Sequence, residues 1–259
     1  MAVSMMFKVP GFGYPGGKVR LRKWLVSMMP REGGRYVEPF AGRGNVFWLA
    51  ACALRFREWQ LNDMWTNTWF DVIARIDLGS IPIRLPMSES VEWRRRADRA
   101  RKGNADDIAV AMESITLFSG GVSGNGSSPR RMSKYSVKAF RRTIECARRI
   151  LRTTSAVVTG LPWERVGIDT LGPDDFIYAD PPYVDNRAGY AENSVDHASL
   201  LSVLSAARCR WLLSGYDTPA YRSALGPPYA NRNQRLTMCR GGSAAAVKAV
   251  RTECVWRNY

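Results

Sequence analysis

Hydrophobic and polar positions along the chain predict short buried strands that alternate with helices. Each candidate strand is a brief apolar run that ends in a turn or in an acidic residue. These runs lie at 36–40, 58–63, 157–158, 175–180 and 211–215. Helical spacing of apolar positions covers 46–56 and 195–208. Strands that alternate with helices are typical of a mainly parallel sheet with helices on both faces, so we expect an α/β fold.

A segment of different character interrupts this pattern between the second and third strands. A tract rich in Gly and Ser at 120–129 predicts a loop, because such residues hold neither a helix nor a core strand. A basic amphipathic helix is predicted directly after it, at 136–151. We therefore expect residues 76–152 to form a smaller, mostly helical insert in a main domain made of 1–75 and 153–259.

The positive charge of the chain is concentrated in this insert. Residues 84–152 carry 16 Lys and Arg but only 7 Asp and Glu, and so contribute +9 of the net charge of +15. A polyanion is the expected partner, because Lys and Arg release counterions when they bind phosphates. A basic but merely solvated surface is the alternative. The cations expected to contact a nucleic-acid backbone are Arg94, Arg95, Arg130, Arg131, Lys134, Lys138, Arg141 and Arg142.

Cysteine, histidine and the lengths of the apolar runs exclude several classes of protein. The five Cys are scattered without metal-binding spacing and the only His is His197, so no metal site is expected. An odd number of scattered cysteines is typical of reduced thiols in the cytoplasm. No apolar run approaches 18 residues, so neither a membrane span nor a leader peptide is expected. We interpret His197 as a structural residue.

The first motif with chemical meaning is the turn Phe40-Ala41-Gly42-Arg43-Gly44, which joins the first strand to the following helix. Glycines there allow a tight turn and the close approach of a ligand, although a purely structural turn explains them equally well. Asp63 ends the next strand, 19 residues after Gly44. A carboxylate in that place accepts hydrogen bonds from ribose hydroxyls, whereas its other interpretation is a helix N-cap. Turn and acid together predict a nucleoside ligand.

The second motif, Asp180-Pro181-Pro182-Tyr183, follows the fourth apolar run. Two prolines at a strand end fix φ and remove backbone donors, so they hold a carboxylate and an aromatic ring in a fixed relation. This arrangement suits a flat base with an exocyclic amine. The amine would donate hydrogen bonds to Asp180 and to the Pro181 carbonyl, while the base stacks on Tyr183. A plain turn or a peptide-recognition motif is the alternative.

These motifs resemble the Dam-type, alpha-group DNA adenine-N6 methyltransferases nearly from end to end. The segments that carry the resemblance are Tyr14-Pro15-Gly16-Gly17-Lys18, 36–44, Asp63, 180–183, Asp196-His197 with Leu200, 213–216 and the closing 253–259. Their order is that of the alpha group, with the glycine loop first, then the recognition insert and then the tetrad. The resemblance implies a Rossmann-like, S-adenosylmethionine-dependent methyltransferase fold whose DNA-recognition insert is 76–152.

The resemblance also implies the reaction and the residues of the site. It implies S-adenosylmethionine as methyl donor without a metal, double-stranded DNA as partner and a flipped-out adenine as acceptor. The catalytic residues would be Asp180, Pro181, Pro182 and Tyr183. The residues expected at the cofactor are Tyr14, Gly17, Lys18, Glu38, Pro39, Phe40, Ala41, Gly42, Gly44, Asn45, Asp63, Leu161, Trp163 and Asp180. A monomer in the cytoplasm of a bacterium or a phage-infected cell is the expected setting.

The sequence leaves two other functions open. The tetrad chemistry suits any exocyclic amine on an aromatic ring, so adenine in RNA or N4 of cytosine is an alternative acceptor, although Asp in the first position favours adenine. A basic nucleic-acid-binding module without catalysis is the other alternative, and it need not bind S-adenosylmethionine. Lys18 is equally consistent with a surface or phosphate-binding lysine and with a residue of the cofactor site.

Overall fold

A seven-stranded sheet forms the centre of the computed structural model, which describes residues 9–12, 16–64, 67–75, 78, 134–183, 195–235 and 250–259. Its strands are β1 (Glu32–Glu38), β2 (Arg55–Asn62), β3 (Val157–Thr159), β4 (Phe176–Ala179), β5 (Arg210–Gly215), β6 (Ala230–Arg235) and β7 (Val250–Arg257). The strands from β1 to β5 are parallel to their neighbours among themselves, and β7 is antiparallel to both β5 and β6. The prediction of a mainly parallel α/β sheet is therefore confirmed.

The order of the strands places a ligand-binding crevice beyond β1 and β4. The sheet order is β3-β2-β1-β4-β5-β7-β6, and its first five strands have the order found in the Rossmann fold. Chain connections leave β1 in one direction and β4 in the other, which makes a topological switch point where such sheets bind ligands. The antiparallel β7 reaches the same edge, because its Cys254 lies opposite Gly215 at the end of β5.

Six helices in the described part of the chain cover the sheet. They are α1 (Arg22–Ser27), α2 (Phe47–Ala53), α3 (Asn67–Arg75), α4 (Lys134–Thr154), α5 (His197–Ala206) and α6 (Pro219–Leu225). None of the described helices is long and apolar enough to span a membrane.

Strand β4 shows why an unbroken apolar run predicts a central parallel strand. All four of its residues are buried, and they alternate between the two faces of the sheet. Phe176 and Tyr178 pack in a core with residues of α1 to α4, whereas Ile177 and Ala179 pack with residues of α5 and α6. The strand is thus fixed from both sides, which makes it a rigid support for the residues that follow it.

The helix predicted at 46–56 is shorter than expected. It ends at Ala53, and β2 begins two residues later at Arg55. Phe56 has an apolar position that fits the helical spacing, but it pairs with Gly33 of β1 in the parallel ladder. The prediction was wrong for the last three residues, because a single apolar side chain fits both the spacing of a helix and the alternation of a strand.

Helix α4 belongs to the main core rather than to a separate body. Its apolar stripe of Phe140, Ile144, Ala147 and Ile150 is buried in the same cluster as residues of α2 and α3. The Nε atom of Arg148 donates a hydrogen bond of 3.0 Å to the carbonyl of Ile73 in α3. This packing anchors the end of the segment predicted as an insert, whose boundaries at 76 and 152 stay a prediction.

Asn62, the last residue of β2, ties three loops together at the carboxyl edge of the sheet. Its side chain is 1% exposed. The amide nitrogen donates to the carbonyls of Pro39 (3.0 Å) and Leu161 (2.9 Å). The amide oxygen accepts from the Leu161 N–H (2.9 Å) and the Thr159 hydroxyl (2.8 Å). One buried side chain therefore sets the spacing between the loops that follow β1, β2 and β3.

We expect Asn62→Ala to destabilise the protein strongly, because it leaves the buried carbonyl of Pro39 and the part-buried backbone groups of Leu161 without their partner. Each such group costs about 1–3 kcal/mol, so we expect a loss of about 2–4 kcal/mol in the free energy of unfolding, measured by urea denaturation. The matched control is Asn231→Ala on β6, whose side chain is exposed and should change stability by less than about 0.5 kcal/mol. Equal effects of the two substitutions would contradict the tying role of Asn62.

Candidate active site

A cavity of about 350 Å³ lies beyond the carboxyl ends of β1, β2 and β4, at the switch point of the sheet. Its walls come from the loop after β1, the end of β2, the loop after β3 and the loop after β4. A volume of this size suits one small organic ligand with a few polar anchors. The fold therefore places the predicted motifs around a common space.

The glycine turn after β1 adopts the backbone that its sequence predicts. Gly42 and Gly44 have φ of 53° and 66°, in the left-handed region that favours glycine. A Cβ on Gly44 would lie 3.0–3.1 Å from ring atoms of Phe70 and Trp48. Gly42 lines the cavity, whereas Gly44 does not, so the structure gives Gly44 a turn and packing role.

Asp63 stands at the cavity wall directly after β2. Its Oδ2 atom accepts a hydrogen bond of 2.8 Å from the backbone N–H of Gly42. The contact fixes the carboxylate against the glycine turn, so that both features predicted for a nucleoside are parts of one wall. Asp63 is not the N-terminal residue of α3, which begins at Asn67.

The turn is also secured from the N-terminal segment. Asn45 accepts a hydrogen bond of 2.9 Å from the Phe12 N–H and donates one of 2.9 Å to the Phe12 carbonyl. The Phe12 ring packs edge-on to Trp69 of α3, with centroids 4.8 Å apart. Arg43 is buried, with its guanidinium 4.6 Å from the Trp69 ring centroid. Arg43 and Asn45 thus connect the turn to α3 and to the N-terminal segment.

Asp180 is fixed through one of its two carboxylate oxygens. Its Oδ1 atom lies 2.8 Å from the Lys18 ammonium and accepts hydrogen bonds from the hydroxyls of Ser214 (2.8 Å) and Tyr183 (3.1 Å). Ser214 is in turn 3.1 Å from the hydroxyl of Tyr178. Among the described residues, none has a donor on Oδ2 of this carboxylate. Asp180 lines the cavity, so an acceptor oxygen remains for a ligand.

Lys18 is a buried cation whose ammonium group is surrounded by acceptors. Its side chain is 7% exposed. Besides Asp180, the Nζ atom contacts the carbonyl of Gly16 at 3.1 Å and Glu253 Oε1 at 3.5 Å. It also lies 4.7 Å from the centroid of the Tyr183 ring. These acceptors orient this flexible side chain, which is therefore part of the site and not a surface lysine.

Glu253 lies on β7 behind the tetrad, and it does not line the cavity. Its Oε1 atom accepts a short hydrogen bond from the hydroxyl of Tyr183. Burial raises the pKa of Glu253, and the repulsion of Asp180 adds to this, whereas Lys18 opposes it. Burial and the nearby carboxylates raise the pKa of Tyr183 well above its usual value, so the phenol stays neutral and able to donate.

Glu38 is a second buried carboxyl beside the cavity. It ends β1, is 2% exposed and accepts a hydrogen bond of 2.5 Å from the hydroxyl of Tyr36. Burial raises the pKa of Glu38 to about 8, and the charge of Asp180 contributes, although the bond from Tyr36 acts in the other direction. At neutral pH the carboxyl is therefore largely protonated, which limits the negative charge around Asp180.

The structure brings most of the predicted site residues to this cavity. Those that line it are Gly17, Lys18, Glu38, Pro39, Phe40, Ala41, Gly42, Asn45, Asp63, Leu161, Trp163, Asp180, Pro181, Pro182 and Tyr183. Leu161 is partly exposed at the wall, whereas Trp163 is buried with its ring 6.2 Å from that of Phe40. Tyr14 lies outside the described residues. The individual roles of these residues stay predictions.

The predicted DNA-binding cations are only partly described. Arg94, Arg95, Arg130 and Arg131, and the side chain of Lys134, lie outside the described part of the chain. On α4, Lys138 and Arg142 are exposed and Arg141 is half-buried. These side chains lie opposite the buried stripe of the helix or beside it, which agrees with an amphipathic helix but does not test a contact with DNA.

Sequence reasoning missed Ser214, Tyr178 and the position of Glu253. Two of them are single polar residues next to apolar runs, which give little indication of a site. Ser214 is a polar residue at the end of an apolar strand, and Glu253 is an acid before the apolar run 254–256. The contacts were out of reach because Glu253 is 70 residues from Tyr183 and 235 residues from Lys18, and only the sheet order unites them.

We expect Glu38→Gln to reduce the pH dependence of stability. The unfolded carboxyl loses its proton near 4.5, whereas the folded one keeps it to about 8. The contribution of Glu38 to the free energy of unfolding should thus be fully present below pH 4.5. It should decrease as pH rises towards 8, by at most about 1.4 kcal/mol per pH unit. Urea denaturation at several pH values gives the free energy of unfolding at each pH. Plotted against pH, this free energy should fall less steeply for the variant than for the wild type. Identical slopes would contradict a buried, protonated Glu38.

Comparison with known proteins gives one match at the level of sequence families. Residues 14–69 match the model of the D12 class N6 adenine-specific DNA methyltransferases. This segment holds the Gly-Gly-Lys motif, the glycine turn and Asp63. No curated protein matches the chain significantly.

The solved structures that match the chain are distant in sequence. A conserved hypothetical protein of Streptococcus pyogenes is 13% identical, with a TM-score of 0.32 and coverage of 92% of this chain and 95% of that one. The human methyltransferase 10 domain containing protein is 10% identical, with a TM-score of 0.33 and coverage of 92% and 79%. The C-terminal domain of precorrin-6Y C5,15-methyltransferase from Rhodobacter capsulatus is 10% identical, with a TM-score of 0.38 and coverage of 97% and 98%.

The assignment of the fold therefore rests on the order of the strands in the sheet. The match over residues 14–69 confirms the predicted resemblance to the N6 adenine-specific DNA methyltransferases.

Proposed function

We propose that the chain transfers a methyl group from S-adenosylmethionine to the exocyclic N6 amine of adenine in double-stranded DNA. The observation that carries the proposal is the fixed carboxylate of Asp180. The Lys18 ammonium and the Ser214 hydroxyl hold its Oδ1 atom at the end of β4, beside a cavity that the glycine turn and Asp63 also line. A carboxylate fixed in this way is suited to orienting one hydrogen-bond donor of a ligand.

The residues of the cavity fit S-adenosylmethionine. Asp63, pinned to the Gly42 N–H, offers a carboxylate for ribose hydroxyls. The apolar side chains of Phe40, Leu161 and Trp163 line the same cavity and suit the flat adenine of the cofactor. When bound, S-adenosylmethionine supplies an electrophilic methyl group on its sulfonium sulfur.

The tetrad would make the acceptor amine reactive. The nitrogen of an aromatic amine is a poor nucleophile, because its lone pair is delocalised into the ring. Hydrogen bonds from its two N–H groups to Asp180 Oδ2 and the Pro181 carbonyl would favour a pyramidal nitrogen with an available lone pair. The negative charge of Asp180 would also stabilise the positive charge that develops on this nitrogen.

The surroundings of the tetrad supply the rigidity that such positioning needs. Pro181 and Pro182 follow a strand that is buried on both faces, and they have fixed φ. Tyr183 is held through its hydroxyl by Asp180 and Glu253, and its ring packs on Tyr216 with centroids 4.4 Å apart. A target amine inside a duplex would not reach this site, so the proposal includes base flipping, with Tyr183 replacing part of the lost stacking.

We expect Asp180→Asn to abolish most of the activity while the fold is retained. The substitution keeps the shape of the side chain but removes the charge next to the amine, so we expect the rate to fall by about 10²- to 10³-fold. Transfer of labelled methyl groups to unmethylated genomic DNA measures this rate.

The matched control for that experiment is Asp174→Asn. Asp174 is an exposed acid just before the same strand, at the opposite edge of the sheet, where it pairs with Arg57 at 3.3 Å. It should keep wild-type activity. An Asp180→Asn variant as active as the Asp174→Asn control would contradict the role of the tetrad, and a wild-type chain that binds no S-adenosylmethionine would favour a non-catalytic module.

We expect the exposed cations of α4 to contribute to DNA binding through phosphates. The double variant Lys138→Gln/Arg142→Gln should weaken binding to any duplex sequence and reduce the slope of log affinity against log salt by about 1–2. Fluorescence anisotropy at several salt concentrations measures both quantities. The charge-matched control is Arg208→Gln/Arg232→Gln, since these exposed residues lie by β5 and β6 and not by α4. An unchanged slope in the α4 variant would contradict the contact.

A further inference from the structure

We propose that Glu253 is a positioning residue for methyl transfer, which shares Lys18 and Tyr183 with Asp180 and so leaves the negative charge of Asp180 available to the substrate amine. This inference rests on the proposed function. Glu253 does not line the cavity and therefore acts through the two side chains that it contacts.

The first step of the argument is the competition for Lys18. Asp180 and the ammonium, 2.8 Å apart, would form a neutral pair if they were isolated. A neutral pair offers little attraction to an amine that gains positive charge. Glu253 Oε1 lies 3.5 Å from the same ammonium, on the side of β7, so one cation is divided between two carboxyl groups. In its ionised form Glu253 gives the group of three a net charge of −1, which favours a developing cation.

The second step is the competition for the hydroxyl proton of Tyr183. The phenol oxygen lies within hydrogen-bond distance of both Asp180 Oδ1 and Glu253 Oε1, and a hydroxyl has a single proton to donate. A phenol that donates to Glu253 no longer neutralises Asp180, and its ring is held against Tyr216 in one orientation.

The third step is burial. Glu253 and Lys18 are 4% and 6% exposed, so water screens their interactions little. An unpaired charge at either position would be costly in the folded protein, whereas a shared network satisfies both. The network also joins two segments that are far apart in the sequence, because Lys18 precedes α1 and Glu253 lies in β7. The charge that reaches the substrate thus depends on contacts far apart in the sequence.

The test compares Glu253→Gln with wild type in the full chain, at matched pH values from neutral to mildly alkaline. The variant keeps the size of the side chain but lets Lys18 and Tyr183 turn fully to Asp180. We expect the single-turnover rate on unmethylated plasmid DNA to fall by about 10²-fold, as for a small misplacement of reacting groups. The dissociation constants for S-adenosylmethionine and for DNA, measured by equilibrium binding, should change less than about threefold, because Glu253 contacts neither ligand. The matched control is Glu58→Gln, an exposed glutamate on β2.

A second background separates positioning from a general structural role. Lys18→Met leaves Asp180 and Glu253 as two carboxylates without their cation. In the Lys18→Met background, Glu253→Gln removes a charge that repels Asp180. We therefore expect it to lower the single-turnover rate much less than it does in wild type, or to raise this rate. This non-additivity is the signature of residues that act on each other. The double variant also removes the repulsion, so it remains informative if Glu253→Gln alone folds poorly.

The possible outcomes are distinct. An unchanged single-turnover rate in Glu253→Gln, with active wild type, would overturn the inference and leave the proposed function intact. The inference would also be overturned if Glu253→Gln lowered the single-turnover rate by the same factor in the wild-type and Lys18→Met backgrounds and also weakened the binding of both S-adenosylmethionine and DNA. That result would show a structural role. A wild-type chain that binds S-adenosylmethionine but methylates no DNA would instead contradict the proposed function, and the inference with it.

Discussion

The contact between the Lys18 ammonium and Asp180 Oδ1, 2.8 Å long, is the interaction on which the site depends. It crosses from the segment before α1 to the end of β4, so it joins the glycine-lysine motif to the tetrad. Because the ammonium, the Ser214 hydroxyl and the Tyr183 hydroxyl all reach the same oxygen, the carboxylate cannot rotate without losing several partners. No described residue donates to the other oxygen, which is the acceptor that the proposed chemistry needs.

The sheet makes this contact possible. Parallel strands end at one edge, and the switch point puts β1 and β4 side by side there. The antiparallel β7 delivers Glu253 to the same edge from the end of the chain. Asn62 keeps the surrounding loops at fixed spacing through four hydrogen bonds. The site is therefore rigid because it is built on strand ends and supported by buried polar side chains with partners.

The sequence predicted the parts of the site that are local in the chain. The glycines at 42 and 44 predicted a tight turn, and the apolar run before Asp180 predicted a buried strand, since both follow from backbone and period alone. The helix at 46–56 was predicted too long, because Phe56 fits either period. The role of Lys18 was left open and that of Glu253 was missed, because an ion pair between residues so far apart in the chain depends on the strand order. The strand β6 was also missed: its sequence ANRNQR has no apolar alternation, and pairing with β7 alone defines it.

The identity of the methylated atom tests the account most directly. The chain would be incubated with S-adenosylmethionine that carries a deuterated methyl group and with unmethylated DNA and RNA in separate reactions, and the nucleic acids would be digested for mass spectrometry of the nucleosides. The account predicts deuterated N6-methyladenine from DNA, and far less of it in the same time when Asp180→Asn replaces the wild type. Label on N4 of cytosine, or on adenine from RNA alone, would contradict it.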